Sequence, residues 1–122
     1  MTLELVVEAG LHQGLTFSTD RVGAYKIGRA NDADIVLAKD KTASRQHCVI
    51  ELTPYGAWGR DAGSRSGTFV NGQRITTNTR LADGDTLLVG ETALRISFSR
   101  AVRLDPTIDR VASVPGFLPV KR

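Results

Sequence analysis

Hydrogen-bond donors gather in this sequence where acids, bases and metal ligands do not. Arg29 follows Gly28 at the end of a predicted strand, Ser44-Arg45 closes one long polar segment, and Arg65-Ser66 sits inside another. A guanidinium offers a planar fork to two oxygens of a tetrahedral anion, a serine hydroxyl adds a third donor, and backbone N–H groups of a glycine-containing loop complete a cradle. Lys39, Lys41 and Ser64 add donors on the same two segments. Any one of these arginines alone reads as a solvated surface charge. Grouped beside long polar loops, they point to reversible binding of a dianion.

Catalytic arrangements fail on spacing. His12 and His47 are the only histidines, and neither belongs to an H-E-x-x-H or Cys/His cluster, so no metal site is expected. Cys48, the single cysteine, falls in strand phase with Ile50 and Leu52, which marks it as a small core residue rather than a nucleophile. Gly63-Ser64-Arg65-Ser66-Gly67 puts Arg65 where a nucleophile elbow needs serine, and it lacks the G-K-[ST] of a phosphate-binding P-loop. Asp83 and Asp85 flank Gly84 as turn chemistry rather than as an acid–base pair. The chain is therefore read as a binding protein, not an enzyme, with no cofactor.

The elements that must position these donors read as all-β. Leu3, Leu5 and Val7 alternate with polar neighbours; Leu15 and Phe17, Tyr25 and Ile27, Ile35 to Leu37, Cys48 with Ile50 and Leu52, Thr68 to Val70, Leu87 with Val89, and Leu94 with Ile96 and Phe98 continue the period of two. No window sustains a helical apolar repeat. About nine or ten short strands this closely spaced belong to a sandwich or a barrel. Pro54-Tyr55-Gly56 predicts a turn, Asn71-Gly72 a two-residue hairpin, and Asp83-Gly84 another. Two connections, Ala38 to Ser44 and Ala62 to Gly67, are long and polar, and they carry the donors.

A chain of 122 residues predicts one domain, residues 1–98, followed by a tail, residues 99–122, rich in proline and without alternation. Its single cysteine and the absence of a signal peptide or apolar span predict a cytoplasmic protein with no membrane contact. The net charge of +3 invites a nucleic-acid reading, but residues 1–98 hold 11 basic and 11 acidic residues, and the excess lies in the tail. A neutral body with few aromatics lacks the broad basic field and stacking platforms of a nucleic-acid binder, so none is expected as partner.

In their order along the chain, Tyr25-Lys26-Ile27-Gly28-Arg29, Asp34 to Leu37, Ser44-Arg45-Gln46-His47, Asp61 with Ser64 to Gly72 (S-R-S-G-T-F-V-N-G), Leu81 to Asp85, and Gly90 resemble the forkhead-associated (FHA) domain. The resemblance implies a two-sheet β-sandwich of about eleven short, mostly antiparallel strands whose end loops bind phosphothreonine peptides. It implies that Arg29 and Ser44 contact the phosphate, that Arg45 is a second cationic contact, that Arg65 and Ser66 follow the peptide backbone, and that Asn71 supports or contacts the peptide. Gly28, His47, Gly67, Thr68 and Gly72 match positions of structural support, with His47 bracing the loops.

The chain departs from the family pattern at two places. Many members carry Asn where this chain has Ser66, and a small polar residue where it has Arg65, which adds positive charge beside the site and predicts a preference for acidic residues downstream of the phosphothreonine. The implied partner is a phosphothreonine-containing protein in Ser/Thr kinase signalling, such as a Ser/Thr kinase or this chain's own tail, where Thr107 lies in the acidic context Asp105-Pro106-Thr107-Ile108-Asp109. A phosphate-independent protein-docking domain is the alternative.

Overall fold

The alternation in Thr2–Ala9 (β1) buries Leu3, Leu5 and Val7. The same rule buries Leu94 and Ile96 of Thr92–Ser99 (β11), with which β1 pairs antiparallel. The computed structural model describes residues 1–99. Its other strands are Thr16–Thr19 (β2), Gly23–Gly28 (β3), Ile35–Val36 (β4), Cys48–Thr53 (β5), Gly56–Asp61 (β6), Thr68–Val70 (β7), Gln73–Arg74 (β8), Thr79–Leu81 (β9) and Thr86–Val89 (β10). They form a six-stranded sheet ordered β2-β1-β11-β10-β7-β8 and a five-stranded sheet ordered β4-β3-β5-β6-β9. Every pairing is antiparallel except β3 with β4. Between the sheets, Leu3, Leu5, Leu87, Val89, Leu94 and Ile96 meet Ile27, Ile50, Leu52, Ala57 and Leu81 in one core. Fold class and strand number are as the resemblance implies.

Three strands carry too little apolar signal to be read from periodicity. In β6 the buried positions include Ala57 and Gly59, and a Cβ on Gly59 would meet Leu81 Cδ1 at 3.4 Å. Smallness there makes room for a neighbouring strand's leucine, so alternation is absent although burial is not. β8 exposes both residues and β9 buries only Leu81.

Two of the predicted turns close hairpins: Thr53 pairs with Gly56 across Pro54-Tyr55, and Val70 pairs with Gln73 across Asn71-Gly72. Asn71 and Gly72 have φ of 51° and 85°, the left-handed pair such a turn requires. Asp83-Gly84 is not a hairpin. It carries the chain from β9 in one sheet to β10 in the other: Asp85 N–H donates to the Ala82 carbonyl at 3.1 Å across it, and the pair between them binds strand β11, with Gly84 N–H donating to the Ile96 carbonyl at 2.7 Å and Phe98 N–H to Asp83 Oδ1 at 2.8 Å. The pair makes a turn, as its chemistry predicts, but not the predicted hairpin, because the strand that follows joins the other sheet. Strand β11 runs to Ser99, one residue past the expected boundary. The rest of the expected tail, Thr107 included, lies outside the described residues.

Candidate anion-binding site

Strand β3 ends at Gly28, and the chain then zips against the end of the first long loop. Arg29 N–H donates to the Ser44 carbonyl at 3.0 Å and Ala30 N–H to that of Arg45 at 3.1 Å. The approach is so close that a Cβ on Gly28 would lie 2.1 Å from the Arg45 carbonyl oxygen. Only glycine fits there. The Arg29 side chain is aimed by one bond of its own, Nε to the Ala43 carbonyl at 3.0 Å, which leaves both terminal nitrogens for a ligand. Among the described residues it makes no ion pair.

His47 is buried between the two long loops. Its Nδ1 accepts the Ser44 N–H at 2.9 Å, and its Nε2 lies 2.8 Å from the Gly67 carbonyl, an acceptor only. The proton therefore sits on Nε2 and the ring is neutral. Two more bonds lace the loops together: Arg65 N–H donates to Ser44 Oγ at 3.0 Å, and Ser66 Oγ donates to the Thr42 carbonyl at 3.2 Å. Because Ser44 Oγ accepts from Arg65, its own proton is free to be donated outward.

Each loop is also held by a carboxylate that, among the described residues, binds no cation. Asp61, at the end of β6, accepts from Gly63 N–H, Ser64 N–H, the Ser64 hydroxyl and, at 2.7 Å, the hydroxyl of buried Thr68; Ser64 Oγ in turn accepts Gly67 N–H at 2.9 Å. Asp40 accepts from Thr42 N–H and Oγ1 within its own loop, and from Glu91 N–H at 2.9 Å and Thr92 Oγ1 at 2.6 Å across the start of β11. Burial pushes both carboxyls up, but their hydrogen bonds outweigh it and hold both below the ordinary 3.8. Burial first, then the Asp61 charge, pushes the Cys48 thiol up to about 12, which removes it as a nucleophile.

The laced loops enclose a cavity of about 520 Å³. Arg29, Ser44, Arg45, Arg65 and Ser66 line it, together with Lys41 and Thr42, and among the described residues no carboxylate does. Asn71 is not brought there: its Nδ2 donates to Asp85 at 2.9 Å and its Oδ1 accepts Thr86 N–H at 3.0 Å, which ties the hairpin turn to β10. Gly72 shares that turn. Two larger cavities, of about 610 and 640 Å³, contain neither Arg29 nor Ser44. Donor chemistry, not size, singles out the smaller one. The sequence reading assigned no role to Asp40, Asp61 or Thr42. The spacing Asp40-Lys41-Thr42, in which a carboxylate takes the N–H two residues on, is an Asx-turn signal that marks the first of them.

The family model described as FHA domain matches residues 25–90. The ABC transporter ATP-binding/permease protein Rv1747 of Mycobacterium tuberculosis is 48% identical over 68 residues, which cover 56% of this chain and 8% of that protein. FhaB, an FHA domain-containing protein of the same organism, is 33% identical over 70 residues, 57% of this chain and 44% of FhaB. The chain thus matches less than half the length of either relative. Among solved structures, one from a study of phosphothreonine-dependent FHA domain interactions superposes with a TM-score of 0.74 at 30% identity, covering 82% of this chain and 99% of that one. The FhaA FHA domain, solved in complex with the intracellular domain of Rv3910, gives a TM-score of 0.68 at 32% identity, over 77% of this chain and 98% of that one. With the family pattern spanning more than half its length on a sandwich shared with solved members, this chain belongs to the FHA domain family.

Proposed function

We propose that this chain is a phosphothreonine-peptide-binding module that recruits phosphorylated partners in Ser/Thr kinase signalling in the cytoplasm. One observation carries the reading: the cavity between the two laced loops collects the free end of Arg29, the free proton of Ser44 and two further arginines, with no carboxylate among the described residues to neutralise them. A phosphate dianion accepts what these groups offer. Arg29 and Ser44 take the direct phosphate contacts, Arg45 adds charge, and Arg65 and Ser66 face the peptide backbone. Gly28, His47, Gly67 and Thr68 keep the loops in place. The solved relatives support the ligand class, one by its phosphothreonine-dependent interactions and another, EmbR of Mycobacterium tuberculosis, by its complex with a phosphopeptide.

Magnitudes make the binding reversible. Charge-assisted hydrogen bonds contribute about 1.5 to 3 kcal/mol each, so two or three with a few backbone contacts leave about 5 to 8 kcal/mol after ordering costs. That corresponds to dissociation constants from high micromolar to micromolar. Threonine differs from serine by one methyl, worth about 1 to 3 kcal/mol where a pocket fits it, so a preference for phosphothreonine needs no catalysis.

Calorimetric titration with a phosphothreonine peptide library tests the reading, with unphosphorylated and phosphoserine controls, a peptide around phosphorylated Thr107, and an Arg29→Ala variant. Micromolar binding that requires both the phosphate and Arg29 is the expected result. Silence across a diverse library would leave the phosphate-independent docking domain as the better account.

A further inference from the structure

The phosphate cavity occupies one end of the sandwich, where β3 and β6 finish and β5 begins. At the opposite end lies a second cavity, of about 610 Å³, between the Pro54-Tyr55 turn, the end of β9 and the last residues of β11. Leu81, itself buried, and Phe98, packed on the core, bring apolar surface to it, and Tyr55 stands at its rim 80% exposed. The charged residues of its wall are engaged within the fold. Arg80 donates from Nη2 to the Tyr55 carbonyl at 3.0 Å, with its guanidinium 5.3 Å from the centre of the Trp58 ring, and Asp83 accepts the Phe98 N–H at 2.8 Å. What the cavity has left to offer a ligand is chiefly aromatic and aliphatic surface.

The chain itself carries a segment that fits. β11 ends on the rim, since Ser99 lines the cavity, and residues 100–122 continue from there. Residues 100–113 hold charges throughout, at Arg100, Arg103, Asp105, Asp109 and Arg110. Residues 114–120 read V-P-G-F-L-P-V and hold none. Phe117 and Leu118 cost free energy when left in water and recover it against apolar surface. Pro115 and Pro119 fix φ, which lowers the entropy lost when the backbone between them is ordered. Proline-flanked apolar segments suit grooves lined by aromatic rings, here Tyr55 and Phe98. Tethering makes weak contacts sufficient, because a segment joined to the rim by residues 100–113 meets the cavity at an effective concentration of about millimolar.

We propose that the cavity opposite the phosphate site is the docking site for residues 114–120 of this same chain, with Phe117 and Leu118 anchored on Tyr55, Leu81 and Phe98. The two sites lie at opposite ends of the same strands, so the docking of the tail stands apart from phosphothreonine binding. Docking returns the chain to the end at which β11 leaves it, and Thr107 then belongs to a loop anchored on both sides opposite the phosphate cavity.

A nitroxide label on Ser113→Cys in the full chain reads the contact through the amide signals that it broadens. Cys48 stays unlabelled, being 2% exposed with its thiol pushed up to about 12, and treatment of wild type with the same reagent verifies this. Docking predicts loss of signal intensity at Tyr55, Gly56, Ala82 and Phe98, with Arg29 and Ser44 at the far end unaffected. Replacing both anchors, Phe117→Ser with Leu118→Ser, should restore the intensities, and it alters nothing within the described residues. Tyr55→Ser should restore them in part. A free peptide of residues 112–122 gives a second measure: it should bind the double variant at this cavity, and wild type at least about twofold more weakly, because there the tethered segment competes. Mixing isotope-enriched unlabelled chain with labelled chain of natural abundance separates a neighbouring copy's tail from the chain's own. Intensity loss confined to the cavity, absent from the mixed sample and abolished by the double variant supports the proposal. Loss of equal size in the mixed sample assigns the cavity to a second copy and overturns it, as do loss that survives in the double variant, loss spread over the whole surface, or no loss at all.

Discussion

Ser44 and Asn71 are both short polar residues beside loops, and the resemblance puts both near the ligand, yet the structure employs them differently. Ser44 Oγ accepts from Arg65 and keeps its proton for the cavity, while both ends of the Asn71 amide are taken by Asp85 and Thr86. Ser44→Ala is therefore expected to weaken phosphopeptide binding about 10- to 100-fold, the worth of one hydrogen bond to a charged group. Its thermal midpoint should fall less than that of Asn71→Ala, since only the hydrogen bond from Arg65 N–H is lost from the fold. Asn71→Ala should do the reverse, removing two hydrogen bonds and a residue suited to φ of 51° for a loss of about 1 to 2 kcal/mol in stability, with affinity changed less than about twofold. Paired calorimetry and urea unfolding check both, and a large affinity loss in Asn71→Ala would return it to the contact set. At this scale the residue types of the site were legible because donors without acids or bases are rare in a polar loop. The direction of each side chain was not: Asn71 is turned away by Asp85, a residue separated from it in the chain by two strands.

Between residue and fold lie the two long loops, which lack regular structure and are held by side chains. Asp61 closes one and Asp40 fastens the other to β11. Both carboxyls titrate below the ordinary 3.8 in the folded chain, so the ionised form is favoured by folding. The stability they add is fully present above that ordinary value and is lost as pH falls through it toward the lower folded values. Urea midpoints should accordingly decline as the medium is acidified below about pH 5. Asp40→Asn and Asp61→Asn should each start lower at pH 7, by about 1 to 2 kcal/mol, and show a shallower acid limb that converges on wild type. Parallel curves would show that other groups drive the acid limb. The strands that carry these loops were largely readable, since Leu3, Ile27, Ile50 and Leu94 alternate as half-buried strands must. β6 was not, because Gly59 is buried for its smallness beneath Leu81, and periodicity registers size only where the side chain is large.

Over the whole molecule, the lone cysteine offers a view of stability coupled to binding. Cys48 opens β5 in the middle of the five-stranded sheet, is 2% exposed, and has its thiol pushed up to about 12 by burial and then by the Asp61 charge. A thiol in that setting reacts only when the sheet opens, and β5 cannot open alone because β3 and β6 pair along both its edges. Alkylation of native protein should therefore be slow and should follow the global unfolding equilibrium. The binding cavity is built from loops that leave those same strands, at Gly28 of β3, at His47 just before β5 and at Asp61 of β6, so a ligand bound there holds the sheet closed. At a phosphothreonine peptide concentration 100 times its dissociation constant, labelling should slow about 100-fold, the factor linkage requires of a ligand that binds only the folded state. Arg29→Ala should abolish the protection and leave the unliganded rate nearly unchanged, because the guanidinium makes one bond within the fold, to the Ala43 carbonyl. Labelling of the native chain at the rate of an exposed thiol, or a rate indifferent to saturating ligand, would mean that β5 exchanges through a local opening which the loops do not govern.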